Sequence, residues 1–279
     1  MDDAFDWAPR DTDLAAAAQD DGDFFAIMAG KLLAPTTRIA VDFGCGSGGM
    51  AVAMKQHSDD RGYPARIVGL DTRPQAYADT QRTYPDVSFA QSSFEDPPDR
   101  IVSAIGGAAD LIWVRGALHH AADEVEALNC LRQALRAGGT LAIAEGGTTV
   151  ANLPEDLNIG DPGLQERLDE AVFARIHAQL GATHDQGYGW PVVIATAGLH
   201  YIRTHHVLFG TPQPLGGADM DYVLARFGRY VDWARTNLDS GDLRVWERLL
   251  DPDDHEWLGH RHDLYYVPTA SVHLGERTA

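Results

Sequence analysis

Apolar residues recur along this chain in two rhythms. Between residues 38 and 145, short apolar runs alternate with stretches of helical spacing, a βαβ rhythm that implies a parallel sheet with helices on both faces. The runs predict strand 1 near 38–43, strand 2 near 66–71, strand 3 near 86–90 and strand 4 near 110–114. A helix is expected near 123–136, with Val125, Leu128, Leu131 and Leu135 on one face and Asp123 with Glu126 suited to a capping box. Gly138-Gly139 is expected to stop that helix, placing strand 5 at 140–144. The second half changes to a helical period. Leu164, Leu168, Val172, Ile176 and Leu180 predict a helix over 163–180, and Met220, Val223, Leu224, Phe227 and Val231 predict another over 218–236. A further helix follows Trp190-Pro191, strand 6 spans Tyr201 to Phe209, and Tyr265–Val267 with Ser271–Leu274 form a last strand or hairpin. Residues 1–37 read as one or two helices ended by Pro35, an N-terminal cap on the alternating region.

Length and composition narrow the class. A chain of 279 residues, 44% hydrophobic, can bury one sizeable core, with room for a lid or small second lobe. The net charge of −19 argues against nucleic acid or an anionic membrane as partner, since phosphate contacts need Lys and Arg. Cys45 and Cys130 supply neither a disulfide framework nor a CxxC site. The acidic start (Asp2, Asp3, Asp6) is the reverse of a signal peptide's basic one. No apolar stretch approaches the roughly 18 residues of a membrane span. A soluble, cytoplasmic protein is expected.

Chemistry concentrates where strand 1 ends. Val41-Asp42-Phe43-Gly44-Cys45-Gly46-Ser47-Gly48-Gly49 reads as a strand closing on an acid and breaking into a glycine-rich turn before a helix. Such a unit opens a nucleotide site at the carboxyl edge of a parallel sheet, because glycine lets a ligand approach the backbone. Two patterns fit. Gly44, Gly46 and Gly49 satisfy the dinucleotide fingerprint GxGxxG, while Asp42, Gly44, Gly46 and Gly48 satisfy the (D/E)xGxGxG signature of class I S-adenosylmethionine-dependent methyltransferases. Asp42 favours the second. A carboxylate there would repel a pyrophosphate and attract an ammonium and a sulfonium. Asp71 closes strand 2, 23 residues beyond Gly48, and is placed to accept hydrogen bonds from ribose hydroxyls with either cofactor.

Strand 4 and its sequel strengthen the resemblance. Ala109 to His120 (ADLIWVRGALHH), followed by Leu131 to Leu141 (LRQALRAGGTL), resembles the corresponding portion of class I methyltransferases, so that the likeness covers roughly 38–145. It implies a three-layer α/β sandwich around a seven-stranded, mostly parallel sheet whose last strand is antiparallel. The helical cap of residues 1–37 would precede a methyltransferase domain over 38–279, with lid insertions near 151–200 and 217–260 in a single domain overall. The resemblance further implies that the glycine loop cups the amino-acid part of S-adenosylmethionine, that Asp71 holds the ribose, and that Val114 and Arg115 line the methionine end. Ser93 stands where many members carry an aspartate to the adenine amino group, with Phe94 offering an apolar face to the ring.

The expected activity is in-line methyl transfer to a small organic acceptor, an aromatic or heterocyclic metabolite, releasing S-adenosylhomocysteine. Tyr188, Trp190, Tyr201, Tyr222, Trp233 and Trp246 make the second half aromatic enough for such a ligand. The sulfonium is already an activated leaving group, so the enzyme aligns the attack and excludes water. If a proton must leave the acceptor, His119 and His120 are the candidate bases just past strand 4, with Tyr188 and His184 second in rank. Glu145, at the end of strand 5, points to the same edge. The histidines of 255–262 match no metal-ligand spacing, so no metal is expected. A homodimer is compatible with the apolar helices of the second half. Two other readings remain open: a protein of this fold that uses bound S-adenosylmethionine as a scaffold for a rearrangement or cyclisation, and a nicotinamide-dependent oxidoreductase.

Overall fold

The computed structural model describes residues 22–145, 150–180, 189–210 and 213–279. These divide into two compact units: the described residues within 1–146, 188–207 and 270–279 form the first, and those within 147–187 and 208–269 the second.

The first unit is built on the expected alternation. Helix α1 (Gly22–Leu32) precedes β1 (Ile39–Phe43), α2 (Gly49–Arg61), β2 (Arg66–Asp71), α3 (Pro74–Thr83), β3 (Ser88–Gln91), α4 (Pro98–Ile105) and β4 (Ala109–Arg115). Then come α5 (Glu124–Ala134), β5 (Leu135–Ala144), α7 (Trp190–Thr196), β6 (His200–Leu208) and β7 (Thr269–Glu276), with α6 (Leu164–Leu180) left to the second unit. The seven strands lie in the order β3-β2-β1-β4-β5-β7-β6. β1 pairs in parallel with β2 and β4, β2 with β3, and β4 with β5, whereas β7 runs antiparallel to β5. The fold is therefore the expected three-layer α/β sandwich with an antiparallel last strand. Central β1 is buried on both faces because helices cover both, and Val41, Phe43, Ile112, Val114 and Ile143 carry the core.

Helix ends follow local chemistry. Gly48, at φ +85°, turns the chain into α2, and Gly62, at φ +64°, ends it. Proline opens α3 and α4. Asp123 accepts the Glu126 amide at 3.0 Å to open α5.

The end of α5 differs from expectation. The helix closes at Ala134, and Gly138-Gly139 lies inside β5 rather than stopping the helix. Arg277, in the segment after β7, reaches back and donates through Nη1 to the carbonyls of Gln133 (2.9 Å) and Leu135 (2.5 Å). Its backbone also pairs with Gly138 and Gly139. The glycines are needed for sheet contact: a Cβ on Gly139 would stand 2.9 Å from the Ala109 carbonyl. Tyr265–Val267 likewise lies outside β7, and Val267 makes a lone bridge to Ala151 in the second unit.

The second unit packs α6 (Leu164–Leu180), α8 (Gly217–Ala234) and α9 (Ser240–Leu249) around Leu168, Val172, Val223, Phe227, Val231 and Trp246. Its interior also holds a polar network. Gln165 accepts the amides of Asn152 and Leu153 and donates to Asp169, while Arg226 donates to Asn152 Oδ1 at 2.5 Å. Of the stretch 151–200 read as insertion, α7 sits in the first unit, where Val193 and Ile194 enter the core. Among the described residues, no helix is long and apolar enough to cross a membrane.

Candidate functional site

A cavity of about 500 Å³ opens at the carboxyl ends of β1, β2, β3 and β4, within the first unit. Four turns converge there because parallel strands deliver all their following loops to one edge.

The glycine loop after β1 is held by main-chain bonds from Gly44 and Cys45 to the Leu70 carbonyl, at 2.7 and 2.9 Å. Gly44, at φ +73°, leaves no room for a side chain, since a Cβ would lie 2.5 Å from that of Ala117. Gly46 offers its N–H to Asp71 Oδ2 at 2.9 Å. The other Asp71 oxygen takes the Arg73 amide at 2.9 Å. Asp71 thus ties the β2 end to the glycine loop while facing the cavity.

Asp42 is a buried acid in the wall. Its carboxylate is 3% exposed, and Oδ2 accepts the Ala51 amide in the first turn of α2 at 3.0 Å. Burial pushes its carboxyl up to about 7, against the opposing pull of the Ala51 amide and with a further push from Asp71. Gly48 has no side chain to cap α2, so Asp42 satisfies that amide from the preceding strand. Burial also drives the neighbouring Cys45 thiol well above its ordinary range.

The loop after β3 brings Ser93, Phe94 and Glu95 to the cavity. Asp96, buried beneath it, accepts from the Ser92 hydroxyl and the Ser93 amide, at 3.0 and 2.9 Å. Phe94 stacks on Phe43 with ring centroids 4.8 Å apart. The Ser93 hydroxyl donates to the Glu95 carboxylate, and Glu95 faces the cavity two residues beyond the position singled out in the sequence.

The last wall follows β4. Arg115 lies over the Phe24 ring of α1 at 4.3 Å, and Phe25 of the same helix lines the cavity. His120 lines it as well, whereas His119 turns away and puts Nδ1 2.9 Å from Glu145 Oε2. Burial would depress His119, but the hydrogen bond to Glu145 and the charges of Glu145 and Glu124 outweigh it, so its proton is held above the ordinary value.

Of the residues expected from sequence, the structure brings Asp42, Gly44, Gly46, Asp71, Ser93, Phe94, Arg115 and His120 together. Gly48 shapes the α2 turn behind them. Val114 is fully buried in the core, and its strand position points it away from the cavity that Trp113 and Arg115 line. Tyr188 and His184 lie outside the described residues. Phe25 and Glu95 were not singled out: one sits on a helix far along the chain, and the other is an exposed acid indistinguishable in sequence from a solvated one. Among the described residues, no three His, Cys, Asp or Glu side chains gather as a metal site.

Comparison with known proteins identifies the architecture. The family model described as "Methyltransferase domain" matches residues 41–141, the stretch containing every turn of the cavity but α1. No curated protein sequence matches. Among solved structures, the fold is similar to a candidate methyltransferase of Bacillus halodurans C-125, at 12% identity and a TM-score of 0.50, covering 93% of this chain and 100% of that one. It is also similar to a chain of the Haloferax volcanii complex between the Trm112 methyltransferase activator and a candidate methyltransferase, at 19% identity and a TM-score of 0.50, covering 100% of each. Residues 41–141 thus match a methyltransferase domain, set in a seven-stranded fold shared with candidate methyltransferases.

Proposed function

We propose that this protein transfers the methyl group of S-adenosylmethionine to a small organic acceptor, an aromatic or heterocyclic metabolite. The observation that carries the reading is Asp42. A dinucleotide site keeps the amides at the N-terminus of this helix for pyrophosphate. Here the protein's own carboxylate occupies the Ala51 amide and lines the cavity, leaving a site suited to a cation. The donor set fits the rest of the cofactor. Asp42 would face the ammonium and sulfonium, and Asp71 the ribose. Phe94 and Glu95, with Ser93, would take the adenine, Phe94 by stacking and Glu95 by accepting from its amino group. Bound there, S-adenosylmethionine supplies a methyl carbon already activated by its positive sulfur.

The chain's own part is to hold, exclude water and take a proton. Gly44 and Gly46 allow close approach of the backbone, and Phe25, Phe94 and Trp113 form the apolar walls. His120, at the cavity edge, is assigned as the base that accepts the acceptor's proton when the nucleophile must lose one. The aromatics that first suggested the acceptor class have other work, since Trp246 is core, and Tyr222 and Trp233 pack against it. Phe25 and Trp113 support that class instead. Residues 151–180 and 217–260 are proposed to select the acceptor.

Parallel calorimetric titration with S-adenosylmethionine, S-adenosylhomocysteine and NADH tests the reading. Binding of the two sulfur compounds without NADH is expected. Binding of NADH alone would overturn it.

A further inference from the structure

Glu145 directly follows β5 with 5% of its surface exposed, and its carboxylate is crowded with donors. Oε1 accepts the amides of Ala117 and Leu118 at 2.6 and 2.7 Å, and Oε2 lies 2.9 Å from His119 Nδ1. All three partners belong to the turn after β4, whose Gly116, Ala117 and His120 line the cavity. Residues Leu118–His120 form one turn of 3₁₀ helix, in which successive side chains point about 120° apart. The turn therefore sends Leu118 into the core, His119 onto Glu145 and His120 to the cavity. A buried carboxylate persists where its oxygens are matched, and these are matched by a single turn of chain.

We propose that Glu145 is a positioning residue: by gripping the Ala117 and Leu118 amides and the His119 ring, it presents His120 to the reacting centre. The inference rests on the methyltransferase reading, with His120 as its base, and adds what aims it. The two rings lie 4.0 Å apart, so the orientation of His119 limits that of His120. The charged and titratable groups facing His119 are Glu145 just past β5, Glu124 from α5 and His120 on its own turn. Held on Glu145, His119 serves as a strut rather than a base.

The test is nuclear magnetic resonance of the histidine rings in the wild-type protein and in Glu145→Gln, with S-adenosylhomocysteine as the probe and no acceptor required. In the wild type, the probe is expected to shift the His120 ring signals, and His119 to titrate above 6.5. Glu145→Gln is expected to lower the His119 midpoint and to shrink the His120 response, while calorimetric affinity for the probe stays within about threefold, because Glu145 is not in the cavity wall. An unchanged His119 midpoint in this variant, or a probe response at His119 instead of His120, would overturn the proposal. If the variant fails to fold, the wild-type spectra decide: a protected His119 Nδ1–H with a probe-responsive His120 supports positioning, and the reverse pattern sinks it. Failure of the probe to bind the wild type would instead remove the methyltransferase reading, and the His119 midpoint would still report on the Glu145 contact.

Discussion

Burial raises the Asp42 carboxyl to about 7 against an ordinary value of 3.8. Between those values the folded protein keeps a proton that the unfolded chain has lost. The stabilisation is fully present below about 4 and disappears as pH rises through 7. Denaturant unfolding should therefore show stability falling across that window, and Asp42→Asn, which retains an oxygen for the Ala51 amide, should flatten the fall. A cation placed beside Asp42 favours the ionised form, so S-adenosylmethionine binding should tighten as pH rises to about 7 and release a proton below it. Calorimetry in buffers of different ionisation enthalpy measures that proton. The same substitution should weaken S-adenosylmethionine binding about tenfold, roughly 1.4 kcal/mol. Gly44→Ala meets both a positive φ and a 2.5 Å clash with Ala117, and should cost about 2 kcal/mol of stability in urea unfolding along with cofactor binding. Asp42, Gly44 and Asp71 were legible because strand-end acids and turn glycines are local features. Phe25, Glu95 and the parting of His119 from His120 were not, because which way a side chain leaves a turn depends on what lies opposite, here Glu145.

Elements were legible where periodicity is strong and blurred where a distant partner sets the boundary. Strand 2 falls on the expected residues, and β1, β4, α6 and α8 fall within two residues of them. The α5–β5 junction shifted by several residues because Arg277, 142 positions beyond Leu135, caps the helix and pairs with the strand. Nothing within the α5 window signals that. Arg277→Ala should leave the last carbonyls of α5 without their guanidinium donor and cost about 1 kcal/mol. Hydrogen exchange should locate the loss at the end of α5 and the start of β5. An unaltered exchange pattern there would mean that Gly138-Gly139 sets the junction after all.

At the scale of the molecule, the chain crosses between its two units beyond β5 and Glu145, so the sequence order of site and core residues says little about which unit holds them. The residues lining the cavity all belong to the first unit. The second has its own apolar core and its own buried polar network, in which Arg226, 7% exposed, serves Asn152 and lies near enough to Asp169 to pull against the burial that raises that carboxyl. Removing one partner from such a network strands the others, at a cost of about 3 kcal/mol. Arg226→Ala should therefore loosen α6 and α8 in hydrogen exchange while leaving S-adenosylhomocysteine affinity unchanged. Bound ligand stabilises only the conformation that holds it. Saturating S-adenosylhomocysteine should accordingly protect β1, β2, β4 and the glycine loop in the variant as it does in the wild type. Loss of ligand binding in Arg226→Ala would show instead that the cavity depends on the second unit for its shape, and acceptor selection and cofactor binding could then no longer be assigned to separate parts of the chain.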